Sequence, residues 1–195
     1  MGILLSILKS IIFLICDLVA TDSQIKNLLL SLIKLIHLSK KTTMTYPSIY
    51  ENSTTSLLIS RLNKLNTNTP AQWGKMNVAQ MLHHVNLIYD TAFHKFDSKT
   101  PAFVKFMLKL FVKDTVVGNK PYKKNSPTAK YLVMTSDFDF EKEKEALISN
   151  FKDAEEKGPT YFEGKDSNGF GKLTSKEWSH MLYKHIDHHF SQFGV

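Results

Sequence analysis

The sequence predicts an all-α fold. Four amphipathic helices form a bundle with a long crossover connection between the second and the third, behind an N-terminal apolar helical extension. Three observations carry this. Apolar residues recur at helical spacing in four segments between residues 51 and 192. Two of those segments open on capping-box spacing, Asn77 with Gln80 and Thr174 with Glu177. The stretch between the second and third helices, residues 95–137, is long and mixed in composition.

Residues 1–43 make the extension and residues 44–195 the folded domain. Residues 3–19 and 25–38 are both strongly apolar. The first run carries Lys9 and Asp17 and is short for a membrane span, which needs about 20 clean residues. It lacks a basic n-region and a small-x-small cleavage site, so it fits a signal peptide poorly. Met1-Gly2 with Ser6 matches the loose myristoylation pattern. Three readings stand: a membrane-associating pair of helices, a soluble helical hairpin, or a misplaced start with Met44 as the real beginning. The sharp change of composition at Met44 favours the last.

Residues 44–50 read as an extended lead-in. The first helix covers residues 51–65, with Leu57, Leu58, Leu62 and Leu65 at helical spacing. Asn66 to Pro70 is a loop. The second helix runs from Asn77 through Met81, Val85, Ile88 and Ala92 to about His94. Within the excursion, Pro101 to Lys113 predicts a short amphipathic helix and Gly118 to Pro127 a basic loop. Tyr131 to Met134 is a strand or an extended packing segment. The third helix, Asp137 to Lys157, turns Phe140, Ala146, Leu147 and Phe151 inward and stops at Gly158-Pro159. Gly169-Phe170-Gly171 is a turn, and the fourth helix follows from Ser175 to about Gln192.

Net charge is +7, almost all from lysine, and Arg61 is the only arginine. Arginine is the usual reader of bases and the bidentate phosphate clamp, so nucleic acid is not an expected partner. The one cysteine, Cys16, excludes an intrachain disulfide and a cysteine-based zinc finger. No glycine-rich phosphate loop and no internal repeat occurs.

The chemistry-bearing stretch is Lys184-His185-Ile186-Asp187-His188-His189. His185 and His189 are four apart, on one helical face, where two imidazoles can reach one metal ion. A stable site wants a third ligand. Helical phase puts His185 and His189 inside the apolar stripe of Trp178, Leu182, Ile186 and Phe193, with His188 at its edge and His180 pointing away. On the second helix His84 lies at the margin of the buried side and His83 nearly opposite. His84, His185 and His189 are therefore the candidate metal ligands. Three neutral imidazoles leave coordination positions open, the catalytic rather than the structural arrangement. A thiol held there would be in its nucleophilic thiolate form. The bland reading is a set of hydrogen-bonded core histidines. Asp90 and Asp187 read as solvated, Glu177 and Gln80 as capping residues, Trp73 and Trp178 as core anchors, and Lys120, Lys123, Lys124 and Lys130 as a solvated loop, with an anion or a membrane surface as the alternative partner of that loop.

With these residues in view, the chain resembles the DinB-like superfamily of metal-binding four-helix bundles, in a poorly characterised branch. The resemblance rests on Trp73-Gly74-Lys75-Met76-Asn77 through Met81-Leu82-His83-His84, and on Phe170-Gly171-Lys172-Leu173-Thr174 through Trp178 to the stretch Lys184–Val195. It covers about residues 48–195. It implies a ligand set of one histidine on the second helix and an HxxxH pair on the fourth, which fall on His84, His185 and His189; His83 stands beside His84 as a second candidate at that position. It also implies a crossover bundle that is often dimeric, and relatives that are S-transferases or isomerases using low-molecular-weight thiols.

The expectation that follows is an enzyme. A divalent metal, with Zn, Ni and Fe not distinguished by three histidines, activates a low-molecular-weight thiol or water toward a small-molecule substrate, as a transferase or hydrolase. One alternative is a non-enzymatic metal-binding module in which the site staples two helices. Another is a membrane-surface adaptor acting through residues 1–43. The expected setting is cytoplasmic, or membrane-associated through that extension, with a homodimer as the expected assembly.

Overall fold

Asn77, Asp139 and Thr174 decide where three of the helices begin. Their side chains accept the backbone N–H three residues on, a donor that an opening helical turn otherwise leaves unpaired. The computed structural model describes residues 46–95 and 100–195. The readings of residues 1–43 lie outside those residues. Among the described residues the regular elements are α1 (Asn52–Leu62), α2 (Val78–Ala92), α3 (Ala102–Phe111), α4 (Lys113–Val117), a 3-10 turn (Lys130–Leu132), α5 (Phe140–Phe162), β1 (Lys165–Asp166), β2 (Lys172–Leu173) and α6 (Ser175–Gln192). The described chain is mostly helical. Its strands form a two-residue antiparallel ladder, with Lys165 opposite Leu173 and Asp166 opposite Lys172. No helix among the described residues is long and apolar enough to cross a membrane.

Both capping boxes are complete. Gln80 donates its N–H to Asn77 Oδ1 at 2.8 Å and accepts from the Asn77 N–H at 3.0 Å. Glu177 donates its N–H to Thr174 Oγ1 at 3.2 Å and accepts from the Thr174 N–H at 2.9 Å. The regular helix of α5 breaks at Gly158-Pro159, as the sequence predicts, and a further short helical segment follows the break. Gly158 takes φ 64°, ψ 179°, which breaks the helical ladder. Pro159, with no N–H to lose and a φ suited to a first turn, starts a last segment that ends at Phe162. That segment delivers Phe162 into the core against Trp178, ring centroids 6.1 Å apart.

α5 packs on α1, α2 and α6, α2 packs on α6, and α4 covers another face of α6. Between them Leu58, Leu62, Met81, Leu82, Val85, Leu147, Phe151, Trp178, Leu182, Ile186 and Phe190 are buried. Each such side chain contributes about 1.5–3 kcal/mol of hydrophobic stabilisation. Arg61 ties α1 to α6, donating from Nη1 to Asp187 at 2.7 Å and from Nη2 to the Val195 carbonyl at 2.9 Å.

Several expectations are corrected. Leu57 is exposed, because α1 meets the body through Leu58 and Leu62 alone among its leucines. Trp178 is a core anchor but Trp73 is only half-buried, with the Lys124 ammonium 4.0 Å from its ring centroid. Tyr131 to Met134 forms no strand: Leu132 closes a 3-10 turn and is buried, while Tyr131 and Val133 are exposed. Asp187 is paired with Arg61 rather than simply solvated. His180 does not point to solvent: it is buried, and its Nδ1 donates to the Val117 carbonyl at 3.1 Å.

Candidate metal centre

α2 and α6 pack side by side, and each brings imidazoles to the shared face. His84 comes from the middle of α2, His185 and His189 from successive turns of α6. One ring nitrogen from each of the three lies within 4.8 Å of the others. His84 Nε2 and His185 Nε2 are 3.0 Å apart. Three histidines placed in this way could hold a metal ion.

Two outer hydrogen bonds decide what those nitrogens offer. His84 Nδ1 donates to the Leu132 carbonyl at 2.9 Å. A carbonyl can only accept, so Nδ1 carries the proton and Nε2 presents a lone pair. His189 Nδ1 meets Gln192 Oε1 at 2.8 Å. The orientation of that amide is set at its other end, where Gln192 Nε2 donates to the Trp73 carbonyl at 2.6 Å. The oxygen therefore faces His189, Nδ1 is again the donor, and Nε2 is again free to ligate.

His185 has no such support. Its Nδ1 is buried with no hydrogen-bond partner among the described residues. If His185 is protonated at Nε2 it can donate to His84, leaving a buried acceptor at Nδ1. If protonated at Nδ1, it leaves a buried donor and sets two lone pairs against each other 3.0 Å apart. A cation between the rings removes that second conflict, since every inward nitrogen then has a partner.

Burial, with the neighbouring imidazoles adding to it, holds the three rings neutral. Burial is the largest cause of the lowered pKa of His84, partly opposed by its bond to Leu132. The pKa of His189 falls to about 3, again chiefly through burial, with His84 adding and Gln192 opposing. That of His185 falls well below the ordinary value, through burial and then His189 and His84. Neutral imidazole is the ligating form. Among the described residues no carboxylate belongs to the cluster. A divalent ion there would keep its full double charge, which favours an anionic exogenous ligand.

His83, adjacent to His84, is turned elsewhere. It stacks on Phe138 with ring centroids 3.9 Å apart and pairs with Glu143 at 3.0 Å. Glu143 also accepts from Asn86 at 2.8 Å, and Asn86 in turn accepts from Asn150 at 3.0 Å, so this is a satisfied network between α2 and α5. His188 faces Trp73 and Tyr122, ring centroids 6.0 and 5.8 Å away, in a separate cleft.

The sequence reading missed the residues that orient the ligands. Gln192 had a signal: it follows His189 by three positions on one helix, so the two share a face. Gly74 had a weaker one, next to Trp73. It adopts φ +85°, and a Cβ there would run into Gln192 Nε2. A side chain at that position would displace the amide that holds His189. Leu132 had none, because its carbonyl arrives from an irregular segment 48 residues away in sequence.

The family model described as "Protein of unknown function (DUF1569)" matches residues 50–194. The chain belongs to that family. The match contains α1 to α6 and all three clustered histidines. Comparison with curated proteins and with solved structures gives no match.

Proposed function

We propose that His84, His185 and His189 hold a divalent metal ion, and that the protein is a metal-dependent enzyme of the DinB-like type. In this reading α1, α2, α5 and α6 are the four helices of the bundle and the α3–α4 segment belongs to its crossover. The observation that carries it is the pair of hydrogen bonds, from His84 to Leu132 and from His189 to Gln192, that aim two Nε2 lone pairs at a third imidazole. A packing-only set is satisfied only if His185 donates from Nε2 to His84, and that leaves a buried acceptor at His185 Nδ1 without a partner among the described residues.

The bound ion would supply Lewis acidity toward a small thiol or a water molecule. The chain's own part is positional. Leu132 and Gln192 fix the tautomers, and apolar neighbours such as Met81 and Ile186 keep the surroundings dry. Three protein donors leave part of the ion's coordination shell to an exogenous ligand. An uncompensated double charge suits an anionic ligand, thiolate or hydroxide, so a thiol-dependent transferase and a hydrolase both fit this donor set.

The test is elemental analysis of natively purified full-length protein beside a His185→Ala variant, followed by thiol-conjugation assays with and without metal. About one equivalent of metal in the parent and far less in the variant is expected. Stoichiometric metal with no turnover across thiols and electrophiles would leave the ligand set standing and favour a module in which the ion staples α2 to α6. Metal-empty native protein that takes up none on titration would end both readings.

A further inference from the structure

We propose that α3 and the lysine-rich segment after it dock the protein on an anionic lipid surface. This stands apart from the metal centre and from residues 1–43. α3 buries none of its residues. Phe103 is 73%, Phe106 61%, Leu110 61% and Phe111 67% exposed, and Met107 is exposed beside them. At about 100° per residue these five side chains share one arc of roughly 140°. Lys105 and Lys109 fall on the other side of the helix. Leu108, half-buried, marks the inner edge, lying against Gly169 in the β1–β2 loop.

Charge selects the partner. Residues 100–130 hold seven lysines (Lys105, Lys109, Lys113, Lys120, Lys123, Lys124 and Lys130) against one acid, Asp114, and of these Lys113 is paired with Glu177 at 2.8 Å. The largest exposed apolar face among the described residues and a strongly basic segment thus occupy one stretch of chain. A basic helix that presents phenylalanine and leucine on a convex face suits an interface of acyl chains under anionic headgroups. A lipid surface needs no groove or shape match to receive it, and each lysine near such a surface adds attraction. With ten residues, α3 is too short to span a bilayer, so it would lie in the plane of the interface.

The test is co-sedimentation of the full chain with two kinds of vesicle: phosphatidylcholine alone, and phosphatidylcholine with roughly a quarter phosphatidylserine. The expected result is binding to the mixed vesicles, weakened by salt and weak on the neutral ones. A Phe106→Asp, Leu110→Asp pair should lower partitioning at least about tenfold, and a Lys105→Gln, Lys109→Gln pair several-fold with a flatter salt dependence. All four positions lie outside the core, so helicity and metal content should match the parent. The proposal is overturned if the aspartate pair sediments like the parent, which would place any binding elsewhere in the chain. Equal affinity for neutral vesicles, or no sedimentation at all, overturns it too. So does lipid-free self-association that the aspartate pair abolishes, which would make the face a contact between two copies of this chain.

Discussion

At the scale of single residues, the centre depends on atoms that do not themselves ligate. His189 can offer Nε2 only while Gln192 holds Nδ1–H, and Gln192 can do so only while Trp73 holds its amide. Gly74 leaves the space in which that amide sits. Such outer partners typically account for ten- to a hundredfold in metal affinity. Gln192→Ala should therefore weaken binding by about that factor while His84 and His185 stay in place, measured by competition against a chromophoric chelator. Gly74→Ala should act in the same direction, through displacement of Gln192 and strain at a positive φ. Unchanged affinity in both variants would mean that His189 needs no orienting partner.

At the scale of elements, α6 shows why periodicity misjudges a helix with neighbours on several sides. From Trp178 to Lys184 every residue is buried. His180 and Lys184, one turn apart, face carbonyls at the C-terminal end of α4. Lys184 Nζ donates to Thr115, Val116 and Gly118 at 2.8, 3.1 and 2.6 Å, and His180 to Val117. A helix C-terminus carries partial negative charge and unpaired carbonyls, so this is a favourable place for an ammonium. Burial still lowers the pKa of Lys184 to about 8. Lys184→Met keeps the length and removes the donor from the Thr115 and Gly118 carbonyls, while the Val116 carbonyl keeps the Tyr122 hydroxyl at 3.2 Å. It should cost about 1–3 kcal/mol, read from denaturant midpoints at constant slope. A loss within a few tenths of a kcal/mol would mean that water replaces the ammonium without penalty.

At the scale of the whole molecule, the clustered imidazoles make stability depend on pH in a set direction. His84, His185 and His189 all have pKa values below the ordinary 6.5. The unfolded chain therefore takes up protons first, and acid favours unfolding. Stability from keeping these rings neutral is fully present above about pH 6.5 and is lost as pH falls, toward about 3 for His189. The thermal midpoint should stay level between about pH 7 and 8 and drop below about 6.5, with metal lost over the same range because protons compete for Nε2. A midpoint that does not move between about pH 7 and 4 would mean that the rings titrate as they would in water.

The sequence by itself determined the helices that carry the histidines, because capping boxes and apolar spacing are local signals read within one or two turns. It also picked out His84, His185 and His189, because two histidines four apart in an apolar stripe already share a face before anything packs on it. Only the tertiary structure decided which nitrogen His84 and His189 present, since Leu132 and Trp73 reach His84 and Gln192 from distant segments and leave no pattern beside the histidines. It decided the burial of His180 and Lys184 for the same reason: the element that covers them, α4, lies more than sixty residues away, and periodicity along one helix holds no record of what another segment lays across it.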